Sequence, residues 1–176
     1  PYSKVNHLKV TKHQQYLWNG IHLSGDFGYQ FNHREEWSAF HTHYDTQMMP
    51  AKDPDRELVF KLHTFSSSLK LRLSSSSSWE HMAGWNMQIQ KNAIGGYSFL
   101  LPEYKRFTTG AFWLTTFRLD NQLSVTGGIR YDRGRIDIAA FEDPYLVEYL
   151  HRQGYEEEVI QAYRWRSYPV DRAYGN

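Results

Sequence analysis

From Ile21 to Asn32 the chain alternates without a fault. Ile21, Leu23, Gly25, Phe27, Tyr29 and Phe31 hold the odd positions; His22, Ser24, Asp26, Gly28, Gln30 and Asn32 hold the even ones. Side chains of an extended strand point alternately to its two faces, so this segment is a strand with one apolar and one polar side. Trp79–Lys91 repeats the pattern, setting Trp79, Ala83, Trp85, Met87 and Ile89 against Glu80, Gly84, Asn86, Gln88 and Gln90, with His81 and Met82 as exceptions. Leu123–Asp137 sets Leu123, Val125, Gly127, Ile129 and Tyr131 against Ser124, Thr126, Gly128, Arg130 and Asp132. Leu8–Tyr16 alternates only raggedly. In Leu58–Leu73 the apolar parity switches near Thr64–Ser67, which predicts a bulge or a strand whose later half alone meets an apolar phase. Thr108–Arg118 is apolar on both sides, with Ala111, Trp113 and Phe117 on one and Phe112 and Leu114 on the other, and is expected to be covered twice.

The connections have a rhythm of their own. Short turns at Asn19-Gly20, Ser74–Ser78 and Asp120–Gln122 alternate with long polar stretches at roughly 33–57, 93–107 and 138–176. Short turns at one end and long loops at the other are the pattern of transmembrane barrels, and Asn-Gly is a strong hairpin turn. No run of about 18 apolar residues exists, which excludes a membrane-spanning helix. Barrel strands need only about 9–11 residues with alternate positions apolar, so the mean hydropathy of −0.69 does not exclude a barrel. Aromatic residues make up 16% of the chain, an excess that interfacial girdles explain, as does a Tyr-rich sugar-binding surface or an aromatic core. A net charge of +1 offers no basic field for nucleic acid, and the absence of cysteine rules out disulfides and thiol chemistry.

The expected fold is therefore all-β: about six up-and-down antiparallel strands from a large outer-membrane β-barrel, with short helices in a long outer loop. Those helices are read from Asp143 as N-cap before Pro144, from Tyr145, Leu146, Tyr149 and Leu150 at helical spacing, and from Gly154 as a stop. A second helix is expected from about Glu156 to Tyr163, with Val159, Ile160 and Tyr163 on one face. The chain begins at Pro1 and stops at Asn176 within the last polar stretch, and it reads as a piece of something larger.

Three motifs carry a family likeness. They are Gly28-Tyr29-Gln30-Phe31-Asn32-His33-Arg34 leading to Phe40-His41-Thr42-His43-Tyr44; Gly95-Gly96-Tyr97-Ser98-Phe99-Leu100-Leu101-Pro102-Glu103-Tyr104; and Gly127-Gly128-Ile129-Arg130-Tyr131-Asp132. In this order they resemble the TonB-dependent outer-membrane receptors of Bacteroides-like bacteria, over almost the whole chain. The resemblance implies a barrel of about 22 strands closed by an N-terminal plug that takes energy from TonB. Residues 1–176 would be consecutive wall strands without the plug. The implied function is part of a receptor that binds and imports a scarce nutrient such as a siderophore, metal complex, vitamin or glycan. Its location would be the outer membrane of a Gram-negative cell. The implied partners are outer-membrane lipid, the plug domain, the TonB complex and a small nutrient ligand, with no nucleic acid and no cofactor. Two rivals stay open: a non-transporting adhesion or assembly barrel, and a soluble secreted β-domain that binds glycans through aromatic residues.

The ligand-binding candidates are His33, His41, His43 and Asp45 in the first long loop, and Arg130 and Asp132 on a polar strand face. Imidazoles paired with a carboxylate suit a divalent metal or its chelate, and His41 and His43 share a face if the loop is extended. The bland alternative is hydrogen bonding that holds the loop. Arg130 and Asp132 could meet substrate in a lumen, or bond to a plug and to neighbouring strands. The carboxylates between Glu35 and Glu57 lack the order of a calcium loop. No nucleophile elbow or phosphate loop occurs, and no catalysis is expected.

Overall fold

A computed structural model describes residues 1–42, 44–74, 78–120 and 122–175. Six long strands follow one another, each antiparallel to the last: β1 (Tyr2–Trp18), β2 (Ile21–Trp37), β3 (Arg56–Ser74), β4 (Trp79–Gly95), β5 (Tyr104–Arg118) and β6 (Ser124–Ile138). Then come the two-residue β7 (Phe141–Glu142), the helices α1 (Pro144–Arg152) and α2 (Glu157–Tyr163), β8 (Trp165–Ser167) and β9 (Val170–Gly175). β9 returns to pair with β6, giving the sheet order β1-β2-β3-β4-β5-β6-β9, while β7 and β8 make a small ribbon. The architecture is all-β and up-and-down, with β1 and β9 as its edges.

Two expectations are corrected. The tail is not an outer loop to its end, because Val170–Gly175 pairs with Arg133–Ile138 as a seventh strand. Its residues Val170, Asp171 and Arg172 gave no clean alternation, so the ladder rather than the pattern defines it. Nor is there a bulge at Thr64–Ser67: the β2–β3 ladder runs unbroken from Ile21 opposite Leu73 to Glu36 opposite Leu58, and shifts only between Glu36 and Trp37. The parity switch in β3 is chemical. Leu69, Leu71 and Leu73 share the apolar face of the sheet, while Leu58, Phe60 and Leu62 lie on the other face near the long loops.

Register gathers the alternating residues of all strands. Across one row Leu23 is opposite Leu71, Leu71 opposite Ala83, Ala83 opposite Trp113, and Trp113 opposite Ile129. Leu23, Phe27, Tyr29, Trp85, Val125 and Ile129 therefore share one face. Asp26, Gln30, Asn86, Arg130 and Asp132 share the other, where Asp26, Gln30, Ser66, Ser68, Asn86 and Gln88 line an open cavity of about 640 Å³.

The polar face carries a repeated device in which a glycine stands directly opposite a larger residue whose side chain fills its place. Phe112 lies over Gly84, Leu114 over Gly128, Tyr174 over Gly134, Asp132 over Gly110 and Ser66 over Gly28. The expectation that β5 is covered on both sides is not met: Phe112 is half-buried over Gly84, but Leu114 and, on the other face, Ala111 and Trp113 are exposed, because a single sheet layer covers neither face. At the short-turn end Asn19 and Gly20 both have positive φ, 44° and 79°, the geometry of a two-residue hairpin turn. Asp120 accepts from the backbone N–H groups of Gln122 (2.7 Å) and Leu123 (2.8 Å), and these bonds hold its carboxyl below the usual carboxylate range.

Little of this molecule is interior. Among the described residues the buried hydrophobic side chains are Leu58, Val59, Leu150 and Ile160. The accessible surface is 12386 Å², whereas a compact monomer of 20.9 kDa exposes about 9,000 Å². The helices cap the long-loop end as expected, with Asp143 Oδ1 accepting from Tyr145 and Leu146 N–H at 3.1 Å. Tyr163 departs from the expected face: Ile160 is buried and Val159 half-buried, but Tyr163 is 66% exposed.

A Cβ on Gly128 would sit 2.6 Å from the backbone oxygen of Trp113, whereas one on Gly127 meets nothing within 4 Å. Gly128→Ala is expected to cost about 1–3 kcal/mol. Gly127→Ala is expected to stay within about 0.5 kcal/mol of the parent. Denaturant unfolding of the two variants checks the pair; equal stabilities would refute the keying of glycines to the polar face.

Candidate functional site

Three connections meet at the long-loop end: residues 38–55, residues 96–103 and the helical tail. Gly96 makes the approach possible. Its φ of +94° and a Cβ that would fall 2.2 Å from the carbonyl oxygen of Glu57 leave room for glycine only. Ser98 N–H then bonds to Glu57 O at 3.0 Å, which seats Tyr97 beside the first loop. Phe40 meets the Tyr97 ring edge-on at 5.0 Å. Gln47 donates to Tyr97 O at 2.9 Å, and the Thr42 hydroxyl donates to Tyr44 O at 2.6 Å.

The tail closes the other side. Thr46 is buried and its hydroxyl donates to Tyr145 O at 2.8 Å, tying the first loop to α1. Arg166 bonds to the Tyr44 hydroxyl and lies 3.2 Å from Asp143 Oδ2, the same carboxylate that caps α1. Tyr44 packs against Tyr149 at 5.4 Å, Phe99 stacks on Phe141 at 4.4 Å, and Arg164 is paired with Glu142. Between these parts lies a cleft of about 810 Å³, lined by His41, Tyr44, Tyr97, Phe99, Glu142 and Arg166 among others. Aromatic faces, carboxylates and one guanidinium suit a polar organic ligand that offers both apolar faces and hydrogen-bonding groups.

His41 is part of that cleft. Its Nδ1 lies 3.2 Å from both the Tyr97 hydroxyl and Ala39 O, and its Nε2 is 3.6 Å from Glu57 Oε1. His33 is elsewhere, on the apolar-side face of β2 at its upper end, where Nε2 sits 3.2 Å from Glu35 Oε1. Among the described residues this buried Nε2 has no hydrogen-bond partner. Asp45 is exposed in the first loop, and His43 lies outside the described residues. Among the described residues no three His, Asp or Glu side chains gather as a metal ion requires. Arg130 and Asp132 grip each other on the polar face through two bonds of 2.5 and 2.7 Å and border a separate cavity of about 310 Å³ with Asn86 and Arg106.

Sequence reasoning found His41 but missed Tyr44, Tyr97, Phe99, Phe141 and Arg166. Gly95-Gly96-Tyr97 was the available signal, because a glycine pair before an aromatic residue announces a close backbone approach. Arg166 had none, since its place depends on how the tail folds back. No family model, curated protein or solved structure matches the chain.

Asp143 serves both α1 and Arg166, so Asp143→Ala is expected to cost the tail about 1 kcal/mol. Limited proteolysis should then cut within residues 144–168 faster than in the parent while the sheet stays protected. Unchanged cleavage would show that the cap does not hold the tail.

Proposed function

We propose that this chain is a wall segment of a TonB-dependent outer-membrane receptor, whose parent binds a scarce nutrient at the cell surface and admits it past a plug. The observation that carries this reading is the apolar band. On β2 it runs from Ile21 to Phe31, on β4 from Trp79 to Ile89, and on β5 from Phe107 to Phe117, and Leu23, Tyr29, Trp79, Trp85, Ile89, Phe107 and Trp113 within it are exposed. Soluble monomers rarely expose a contiguous apolar patch beyond about 300–600 Å².

On β2 to β6 the upper edge of the band is marked by charge. The first ionisable residues above it are His33, His63, Lys91, Lys105 and Arg133 on β2 to β6. His33 is opposite Lys61, two residues above His63; His63, Lys91 and Lys105 are level; and Lys105 is opposite Asp137, four residues above Arg133. A band of ten residue steps along strands tilted by about 35–45°, as in outer-membrane barrels, is about 23–27 Å tall, against about 25 Å for lipid-facing bands. Aromatic residues fall at both margins: Tyr29, Phe31, Phe65 and Phe107 above, Trp18, Trp79 and Phe117 below.

On this reading the polar face meets the plug and lumen, and the 810 Å³ cleft faces the medium as part of the nutrient site. A siderophore, metal complex, vitamin or glycan all fit its mixed lining. The cleft's aromatic residues also suit a soluble glycan-binding domain, and one substitution separates the two. Ile129 is 78% exposed, so Ile129→Arg is close to neutral for a soluble sheet. In a lipid-facing wall it costs about 2–4 kcal/mol. Outer-membrane fractionation of the full-length protein is expected to show Ile129→Arg depleted and Thr126→Arg, on the polar face, retained. Equal recovery of both would sink the membrane reading.

If the nutrient is a metal or its complex, His41 and His43 are the groups of this chain best able to touch it, since neutral imidazole is a good ligand near pH 7. His41→Ala/His43→Ala should weaken its binding by calorimetry on detergent-solubilised receptor without lowering the amount of receptor in the membrane. Unchanged binding would make these histidines structural.

A further inference from the structure

The long-loop end holds its own cations by one repeated device, a carboxylate on one side and an aromatic ring on the other. Arg56 lies 3.1 Å from Asp53 Oδ2 and over the Trp37 ring at 6.0 Å. Arg164 is paired with Glu142 and lies over the Trp165 ring at 5.5 Å. Arg166 lies 3.2 Å from Asp143 Oδ2 and over the Tyr44 ring at 5.8 Å. Glu103 has similar surroundings without the guanidinium. It lines the cleft of about 810 Å³ together with Tyr97, Phe99 and Phe141. Its carbonyl oxygen accepts from Ala139 N–H at 2.9 Å, and its carboxylate accepts from Ile94 N–H at 3.1 Å. Among the described residues no lysine, arginine or histidine nitrogen lies within 4.0 Å of that carboxylate.

We propose that Glu103 and the rings beside it receive the positively charged end of an organic ligand, a methylated ammonium or a protonated amine on a compact body. The inference rests on the reading of this cleft as part of a nutrient site, and it names the class of nutrient. The charge of the lining points the same way, since Glu103, Glu142 and Asp143 stand there against Arg166. An anion would have to draw Arg166 away from Asp143, the carboxylate that also caps α1. A cation at Glu103 breaks no such bond. Aromatic rings attract it through the negative potential of their faces, and Phe99 and Phe141, half-buried and stacked on each other at 4.4 Å, are in place before a ligand arrives. The bond from Ile94 N–H to Oε1 orients the carboxylate and leaves Oε2 for the incoming charge.

The test titrates the full-length protein in neutral detergent with choline and with its uncharged carbon analogue, in which a tert-butyl group replaces the trimethylammonium. Saturation-transfer NMR reads the binding. The parent is expected to bind choline about tenfold more tightly than the analogue. Glu103→Gln keeps the acceptor for Ile94 N–H and is expected to remove most of that preference. Phe99→Leu keeps an apolar side chain without the ring, and should weaken choline while leaving the analogue close to its parent affinity. Glu158→Gln, of equal charge change on α2 and outside the cleft, is expected to bind as the parent does. Equal affinity of the parent for choline and the analogue overturns the proposal. So does a preference that survives in both Glu103→Gln and Phe99→Leu, or one that Glu158→Gln abolishes equally. Recovery of the parent in the outer-membrane fraction is measured beside the titration. A protein found there that shows no preference for choline refutes the cation site alone. One that prefers choline through Glu103 but is absent from the outer membrane keeps the site and refutes the receptor reading.

Discussion

Everything in this sheet depends on register. A strand has a side-chain period of two, so a slip of one residue between two strands would throw a whole apolar row onto the polar face. Ladders of 14 to 17 paired residues make such a slip costly, and the glycine pairs make it specific. Where Phe112 faces Gly84, a slip of one residue either way sets its ring against Ala83 or Trp85. Glycine in a strand normally weakens it. Here each one admits the residue opposite, so the weakness is exchanged for a unique fit.

The same construction explains why so little is buried. A single sheet layer has two faces and no interior of its own, so its hydrophobic residues must find cover outside the layer. The helical tail shelters only the upper end, where Leu150 and Ile160 lie. Roughly 3,400 Å² of surface beyond that of a compact monomer follows from one uncovered apolar face and one uncovered polar one. The two faces call for different covers. A lipid phase satisfies the first without a directional bond, whereas the second, with His13 bonded to Asp26 at 2.6 Å and Arg130 to Asp132, needs water or another polar surface.

Strands whose alternation was clean were legible in the sequence, because one side met one medium throughout. Ile21–Asn32 and Leu123–Asp137 are of this kind. Leu58–Leu73 misled where it crosses the level of the loops: there Leu58 and Val59 are both buried, so alternation no longer reports the face. β1 was hard to read because Lys12 and Gln14 interrupt its apolar side, and only the pairing of Lys12 with Phe27 restores its register. β9 is short, ends a tail rich in charge, and is defined by its partner alone. The helix signals at Asp143, Pro144 and Gly154 were local and therefore readable. The cleft was not, since Arg166 and Tyr44 are brought together by three connections whose conformations depend on one another.

That mutual dependence bears on how one end of a sheet can hold a cleft. Up-and-down strands place every second connection at the same end, so the long connections here are forced to be neighbours. Isolated loops of this length would carry many unpaired backbone groups and would not hold a shape. The first loop is fixed to α1 through Thr46 and Tyr145, to the second loop through Gln47 and Tyr97, and to the tail through Tyr44 and Arg166. Each bond leaves from a different residue of one short stretch, Tyr44 to Gln47, which makes that stretch the hinge of the cleft. Tyr44 itself packs against Tyr149 of α1 and bonds to Arg166, so this one residue touches both the helix and the returning tail.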